Sequence, residues 1–119
     1  MKKKINKLHL QKKRYVKKIL GTFQKPRLSV FRSHKHIYAQ LIDDQNSQTL
    51  AFSSTLEKSI AEKITSTATK EASFLVGQEI AKKAVEKQIL FTFFDRGNRP
   101  YHGRIQSVAE GARANGLNF

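Results

Sequence analysis

The sequence predicts a mixed α/β (α+β) fold, in which a four-stranded mixed sheet carries helices on one face and follows a basic arm. Three observations predict this fold. Short runs of strand-forming residues at 27–31, 37–42 and 48–54 are separated by polar turns, which is typical of antiparallel neighbours. A long stretch with helical periodicity, residues 70–87, leads almost directly into the apolar run 89–94. A strand that follows a helix in this way is expected to lie parallel to the first strand after a right-handed crossover.

The first two strands are predicted to form an antiparallel pair. Leu28 and Val30 share one face of residues 27–31, and alternate residues of 37–42 are also apolar. This period of two is typical of a half-buried sheet, which leaves its other face for a partner. The polar connection between the two strands consists of Arg32, Ser33, His34, Lys35 and His36.

The next elements are a turn, a third strand and a short helix. Residues 43–47, with the sequence DDQNS, predict the turn into the strand at 48–54. The Ser53-Ser54-Thr55 sequence is expected to cap a short helix at 57–64, because a hydroxyl oxygen can accept a hydrogen bond from a free first-turn amide. A polar linker is expected at 65–69.

Residues 70–87 predict the longest helix, with Thr69 as its N-cap. Apolar residues recur there at helical spacing and form one stripe, which predicts that a single face of the helix packs against the core. The members of the stripe are Ala72, Leu75, Val76, Ile80, Ala84 and, at its edge, Ala81.

The C-terminal part is predicted to contain a strand, a loop and a helix. The run 89–94, ILFTFF, is apolar on both faces, which predicts a strand buried between layers. A polar loop is expected at 95–102. The last helix, at 103–115, is expected to end at Gly116 and to bury Ile105, Val108, Ala109 and Ala112.

Charge is distributed unevenly along the chain. The 119 residues include 23 Lys and Arg against 9 Asp and Glu, for a formal net charge of +14. Residues 1–36 contain many of these cations and no acid, whereas the remainder is nearly neutral. This asymmetry indicates a polyanionic partner, and nucleic acid is favoured over a membrane. We therefore divide the chain into a basic N-terminal arm, 1–24, and one globular domain, 25–119.

Composition argues against several classes of protein. The chain has no cysteine, so it has no disulfide framework and no thiolate metal site. No apolar run approaches the roughly 20 residues of a membrane span. The cationic start lacks the apolar core of a secretory signal and the wide apolar face of a membrane-surface helix. We expect no membrane partner and a protein made where it is used.

Three cationic segments are the candidate nucleic-acid contacts. Cations neutralise phosphates, while aromatic rings stack on unpaired bases and hydroxyl or imidazole groups reach ribose hydroxyls, which favours folded RNA over DNA. The alternative is that the arm is a solvated tail and that the other two segments only form polar turns. The candidates are Lys12, Lys13, Arg14, Lys17 and Lys18 of the arm; Arg32, Ser33, His34, Lys35 and His36 of the connection, with Tyr38; and Arg96, Gly97, Arg99, Tyr101, His102 and Arg104 of the loop.

An enzyme is a different interpretation of the same residues. His34, His36 and His102 could imitate a metal or acid–base cluster, and Asp43 and Asp95 lie at the ends of predicted strands, where nucleases of mixed α/β architecture place carboxylates. No HxxxH, paired-acid, glycine-rich phosphate-loop or Ser/His/Asp arrangement accompanies them. We therefore predict no catalytic residue, no metal, no cofactor and no small-molecule substrate. Asp95 is expected to orient Arg96 or to cap backbone amides in the loop.

Four segments carry a resemblance to a known family. They are KPRLSVFRSHKHIYAQLIDD, TLAFSSTLEK, KEASFLVGQEIAKKAVEK and FDRGNRPYHGRIQSVAEGARANGLNF, in this order. From about Pro26 to Phe119 the chain is similar to the bacterial and plastid form of ribosomal protein eighteen of the large subunit. That family binds 5S ribosomal RNA.

The resemblance implies a translation-machinery fold and a structural, non-enzymatic role. It implies that the protein binds 5S rRNA and helps attach it to the large-subunit (23S-type) rRNA in the central protuberance, beside neighbouring 5S-binding ribosomal proteins. Position by position, the matching residues are Arg27, Arg32, Ser33, Lys35, His36 and Tyr38; Ser53, Ser54 and Thr55; and Asp95, Arg96, Gly97, Tyr101, His102, Gly103 and Arg104.

The chain departs from the family pattern at two loop positions. Asn98 stands where the family usually has a second glycine, and Pro100 replaces a flexible position next to Tyr101. Asparagine tolerates a left-handed backbone, so the turn is compatible with this change.

Two further expectations complete the interpretation. The runner-up function is a general basic RNA- or DNA-binding module of similar fold outside the ribosome. For the compartment, the Lys-, Ile- and Asn-rich arm and the lack of a targeting segment favour a plastid (chloroplast) stroma, with the bacterial cytoplasm as the alternative.

Overall fold

A computed structural model of the protein describes residues 20–97 and 99–119. The described chain contains one mixed sheet and three helices. The strands are β1 (Arg27–Arg32), β2 (Ile37–Asp43), β3 (Gln48–Ser54) and β4 (Phe93–Asp95), and the helices are α1 (Lys58–Ala61), α2 (Lys70–Glu86) and α3 (Gly103–Ala114).

The sheet has the strand order β3-β2-β1-β4. β1 and β2 are antiparallel with Leu28 opposite Leu41, and β2 and β3 are antiparallel with a register shift at Leu41/Ile42. β4 lies parallel to β1, with Phe94 opposite Leu28. The predicted mixed sheet, with three antiparallel strands and a parallel strand after a crossover helix, is therefore confirmed.

The core lies between one face of this sheet and the two longer helices. The alternate residues Leu28, Ile37 and Leu41 are fully buried there, together with Val76 of α2 and Val108 of α3. The period of two in the strands and the apolar stripes of the helices meet in this layer. The prediction that helices cover one face of the sheet is confirmed.

The start of α2 and the end of α3 contain the capping residues that the sequence predicts. The Thr69 hydroxyl oxygen accepts a hydrogen bond from the Ala72 amide at 3.1 Å, so the predicted N-cap of α2 is confirmed. Gly116 follows the C-cap of α3 with φ of 105°, the left-handed backbone that ends many helices.

α2 and α3 approach each other closely at two glycines. A Cβ atom added at Gly77 of α2 would lie 2.1 Å from the Val108 carbonyl oxygen of α3. A Cβ atom added at Gly111 of α3 would lie 2.2 Å from the Phe74 carbonyl oxygen of α2. Because the opposing atoms belong to the backbone, neither position has room for a side chain.

The prediction that residues 89–94 form a strand buried between layers is wrong. β4 contains only Phe93–Asp95 and lies at the edge of the sheet, beside β1. Phe91, before the strand, is 56% exposed. Apolar composition does not distinguish an edge strand from a central one, because position in a sheet depends on which strands pair.

The predicted cap of the short helix is also wrong. α1 spans Lys58–Ala61 instead of 57–64, and its N-cap is Glu57, whose side chain caps no amide. Ser53, Ser54 and Thr55 are buried instead. The Ser53 hydroxyl donates to Glu57 Oε1 at 2.9 Å, so it fixes the residue that begins the helix.

Candidate nucleic-acid interface

The connection between β1 and β2 is a hydrogen-bonded turn. The Ser33 amide donates to the His36 carbonyl at 2.8 Å, and the Ser33 hydroxyl oxygen accepts from the His36 amide at 3.2 Å. His34 and Lys35 are exposed between these two residues. The turn therefore presents an imidazole and an ammonium group to solvent from a fixed base.

Thr55 supports this turn from the interior. Its hydroxyl oxygen accepts from the Ile37 amide at 3.2 Å and lies 3.0 Å from His36 Nδ1. When the hydroxyl proton is donated to Nδ1, the other ring nitrogen of His36 carries the imidazole proton. Thr55 and Ser54 are thus buried behind the turn, and the Ser54 hydroxyl oxygen accepts from the Leu56 amide at 3.1 Å.

Arg27 fixes the base of the loop that follows β4. Its Nη1 donates to Asp95 Oδ2 at 2.9 Å, while Nε and Nη2 donate to the two carboxylate oxygens of Asp44, each at 3.0 Å. The hydrogen bonds that Arg27 donates to Asp44 are the main cause that raises the pKa of Arg27. Burial opposes this shift, and the hydrogen bond donated to Asp95 raises the pKa further. The charge of Arg27 is therefore balanced within the protein.

Asp95 connects this ion pair to the loop. Its Oδ1 accepts a hydrogen bond from the Gly97 amide at 2.9 Å, so the expectation that Asp95 caps a loop amide is confirmed. Its cationic partner is Arg27 instead of Arg96. Gly97 has φ of 67°, a left-handed conformation that glycine adopts without strain.

The loop and the β1–β2 connection meet through Arg104. This residue lies in the first turn of α3, and its Nη2 donates to the Ser33 carbonyl at 3.0 Å. Two cationic segments that the sequence places far apart are thereby joined at one end of the sheet.

Three arginines form the cationic centre of this junction. Burial is the main cause that lowers the pKa of Arg104, and the charges of Arg32 and Arg99 lower it further. The Nη1 atom of Arg104 is buried and has no hydrogen-bond partner among the residues that the structure describes. Within the described residues, none of these three arginines has a carboxylate at salt-bridge distance. An anion beside them would reduce the repulsion that the protein leaves uncompensated.

Tyr101 and His102 occupy different environments beside this centre. The Tyr101 ring packs edge-on against Phe94 with 5.9 Å between ring centroids, and its hydroxyl accepts from Arg113 at 3.2 Å. His102 is exposed immediately before α3. Tyr101 therefore anchors the loop, whereas His102 can contact a partner directly.

The open face of the sheet carries aromatic residues that the sequence interpretation did not select, apart from Tyr38. Phe31 is 59% exposed and Phe52 is 42% exposed. The rings of Phe31 and Tyr38 lie 5.7 Å apart at an interplanar angle of 35°. The alternation that assigns Leu28 and Val30 to the core also indicates that Phe31 is on the open face.

The remaining features considered in the sequence are the basic arm, a metal cluster and a membrane span. The arm candidates Lys12, Lys13, Arg14, Lys17 and Lys18 lie outside the described residues. Across 20–97 and 99–119, no group of three or more His, Asp or Glu side chains could hold a metal ion. In the same part of the chain, no helix is long and apolar enough to cross a membrane.

Comparisons with known proteins match the whole chain. A family model described as ribosomal L18 of archaea, bacteria, mitochondria and chloroplasts matches residues 1–119. The large ribosomal subunit protein uL18c of Cyanophora paradoxa is 56% identical over 108 residues, which cover 90% of this chain and 89% of the relative. The uL18 protein of Clostridium botulinum (strain Alaska E43 / Type E3) is 50% identical over 120 residues, with 98% of each chain covered.

Proposed function

Because the chain belongs to the ribosomal L18 family of archaea, bacteria, mitochondria and chloroplasts, a family of large-subunit proteins, we propose that it binds 5S rRNA and helps attach it to the large-subunit (23S-type) rRNA in the central protuberance. Its role is structural and involves no catalysis. Its protein partners are the neighbouring 5S-binding proteins of the same subunit.

The observation that carries this proposal is the group of Arg32, Arg99 and Arg104. The charges of Arg32 and Arg99 both act on Arg104, none of the three has a carboxylate at salt-bridge distance in the described chain, and Arg104 donates a hydrogen bond to the Ser33 turn. A folded RNA offers closely spaced phosphates that can neutralise such a group, and each neutralised phosphate releases counterions. Shape recognition of this kind depends on cations fixed in position, which the hydrogen-bonded turn provides.

The proposed contacts divide into exposed and supporting residues. Supporting residues act by holding the contact residues in place, and they are Arg27, Ser54, Thr55, Tyr101 and Gly97. In our proposal, RNA is touched by the exposed or partly exposed side chains of Arg32, Ser33, His34, Lys35, His36, Tyr38, Arg96, Arg99, His102 and Arg104.

The basic arm supplies a second set of contacts in this proposal. Lys12, Lys13, Arg14, Lys17 and Lys18 bind rRNA phosphates next to the folded domain. For the compartment we propose the plastid stroma, with the bacterial cytoplasm as the alternative, since the family includes relatives from both. The composition of the arm is the basis of that preference.

Salt-dependent binding of 5S rRNA tests the proposal. The full chain should bind 5S rRNA more tightly than an arbitrary RNA duplex, and it should co-sediment with large subunits at moderate salt. The double variant Arg32→Gln/Arg99→Gln should bind more weakly, and the slope of log K against log salt should become shallower by about 1.4–1.8, because two phosphate contacts are lost.

The matched control removes the same charge from the helical layer. Lys82→Gln/Lys87→Gln changes two exposed lysines near the end of α2 and should leave the slope unchanged. Equal affinity of the unmodified chain for 5S rRNA and for arbitrary duplexes would contradict the proposal and support a general nucleic-acid-binding module. Equal losses of 5S rRNA affinity and salt slope in both double variants would show that binding depends only on the net charge of the protein.

A further inference from the structure

β1 extends beyond the strand that pairs with its outer edge. The parallel ladder with β4 ends at Ser29 opposite Asp95, whereas β1 continues to Arg32. No described strand lies beside residues 30–32 on that side. Because backbone groups alternate between the two sides of a strand, the Val30 carbonyl and the Arg32 amide and carbonyl are the groups that have no strand partner here in the described chain.

A groove lies between this free edge and the loop after β4. It has a volume of about 450 Å³ and is lined by Ser29, Val30 and Phe31 on the strand side. Arg96, Gly97, Arg99 and Pro100 line the loop side. The hydrogen bond from the Gly97 amide to Asp95 holds the loop wall in place. The groove thus combines the Val30 carbonyl, which has no strand partner in the described chain, with two arginines.

The ring of Phe31 forms part of this groove and is largely uncovered. It is 59% exposed, and it also borders a smaller depression of about 240 Å³ with Tyr38 and Gln40. Exposed aromatic rings beside cations are the groups on which unpaired bases stack. The position of Phe31 in a regular strand keeps the orientation of such a platform fixed.

We propose that this groove binds one unpaired nucleotide of the RNA partner. The base stacks on Phe31 and its edge hydrogen-bonds to the Val30 carbonyl or the Arg32 amide, while Arg96 and Arg99 hold its phosphate. The proposal rests on the RNA-binding function proposed above and adds a contact to a single base. A peptide strand is a poorer occupant, because only Val30 and Arg32 direct unpaired backbone groups to this side and two of the groove's walls carry cationic or aromatic groups.

Substitutions of Phe31 test the stacking contact. Phe31→Leu should weaken 5S rRNA binding by about 5- to 150-fold, since stacking on a base is worth about 1–3 kcal/mol. The salt slope should stay unchanged because no charge is removed. Phe31→Tyr keeps an aromatic ring and should bind like the unmodified protein. Phe52→Leu, an exposed aromatic of the same sheet face outside the groove, should change affinity less than twofold.

A second measurement is independent of 5S rRNA. In ¹⁵N-labelled full chain, AMP should shift the amide resonances of Val30, Phe31 and Gly97, and inorganic phosphate at the same concentration should leave the Val30 and Phe31 amides in place. Phe31→Leu should abolish the AMP shifts while its urea unfolding midpoint stays near that of the unmodified protein.

The outcomes separate the two proposals. If the unmodified chain does not prefer 5S rRNA, the proposed function fails, while AMP binding still tests the groove. If the chain binds 5S rRNA and Phe31→Leu binds equally well, the groove proposal is overturned and the function stands. Shifts with an extended Val-rich peptide and none with AMP would also overturn it, in favour of a strand partner.

Discussion

The two faces of the sheet differ although the same strands build both. On β1, Leu28 is fully buried under the helices, whereas Phe31, three residues further on, is 59% exposed. Packing against α2 and α3 determines which residues suit the covered face. Nothing in the described chain covers Phe31 in this way, so packing does not explain an aromatic residue there. We therefore expect changes on the covered face to alter folding and changes at Phe31 on the open face to alter binding.

The largest effect is expected at Leu28. Leu28→Ala should lower the free energy of unfolding by about 2–5 kcal/mol, because it removes buried methyl groups and leaves a cavity between the sheet and the helices. Urea denaturation measures the change. Ser29→Ala, the adjacent residue on the open face, is the matched control and should change the free energy by less than about 0.5 kcal/mol. Equal losses in both variants would contradict the division between the faces.

A smaller effect on stability is expected at Arg27, which begins β1, and Arg96, which follows β4, provides the comparison. Arg27→Met should lower the free energy of unfolding by about 1–3 kcal/mol, because it leaves the carboxylates of Asp44 and Asp95 without their hydrogen-bonded cation. Arg96→Met removes an exposed arginine that has no salt bridge in the described chain, so stability should hardly change.

Denaturation and RNA binding of these two variants complete that comparison. Arg96→Met should weaken 5S rRNA binding and reduce its salt slope by about 0.7–0.9, as expected for one lost phosphate contact. A stable Arg27→Met variant that loses more of the salt slope than Arg96→Met would show that Arg27 contacts RNA directly.

The smallest effect is expected at Thr55, which joins the interior to the exposed turn. Thr55→Val preserves shape but removes the acceptor of the Ile37 amide and the partner of His36 Nδ1, so stability should fall by about 1 kcal/mol. NMR spectra of the His36 ring should show a changed tautomer population. An unchanged imidazole spectrum would mean that Thr55 does not orient His36.

Local pattern was sufficient to predict most of the fold. The alternation in β1 and β2 and the apolar stripe of α2 identified the covered face. Each of these patterns lies within one strand or helix, so it can be seen in the sequence without knowledge of tertiary contacts. The position of β4 was not predictable in this way, since an apolar run is compatible with a central strand or an edge strand. Pairing partners, which lie far away in sequence, decide between the two.

The site was predictable as a composition but not as an arrangement. Arg27 and Arg96 look alike in the sequence, yet only Arg27 lies between two carboxylates. Arg104 meets Ser33 because the fold brings α3 against the β1–β2 connection, which no local spacing reveals. Phe31 was not selected because a phenylalanine in a strand suggests core, and its exposure follows only from the face it occupies.

The glycine contacts between α2 and α3 have a consequence for the proposed association with RNA. Gly77 and Gly111 let each helix rest on the backbone of the other, so α3 cannot slide or rotate without moving α2 as well. Arg104, in the first turn of α3, is therefore held in place by a contact about two turns further along that helix. A guanidinium that is already positioned before the encounter loses little conformational entropy on binding, and this raises affinity without any additional contact.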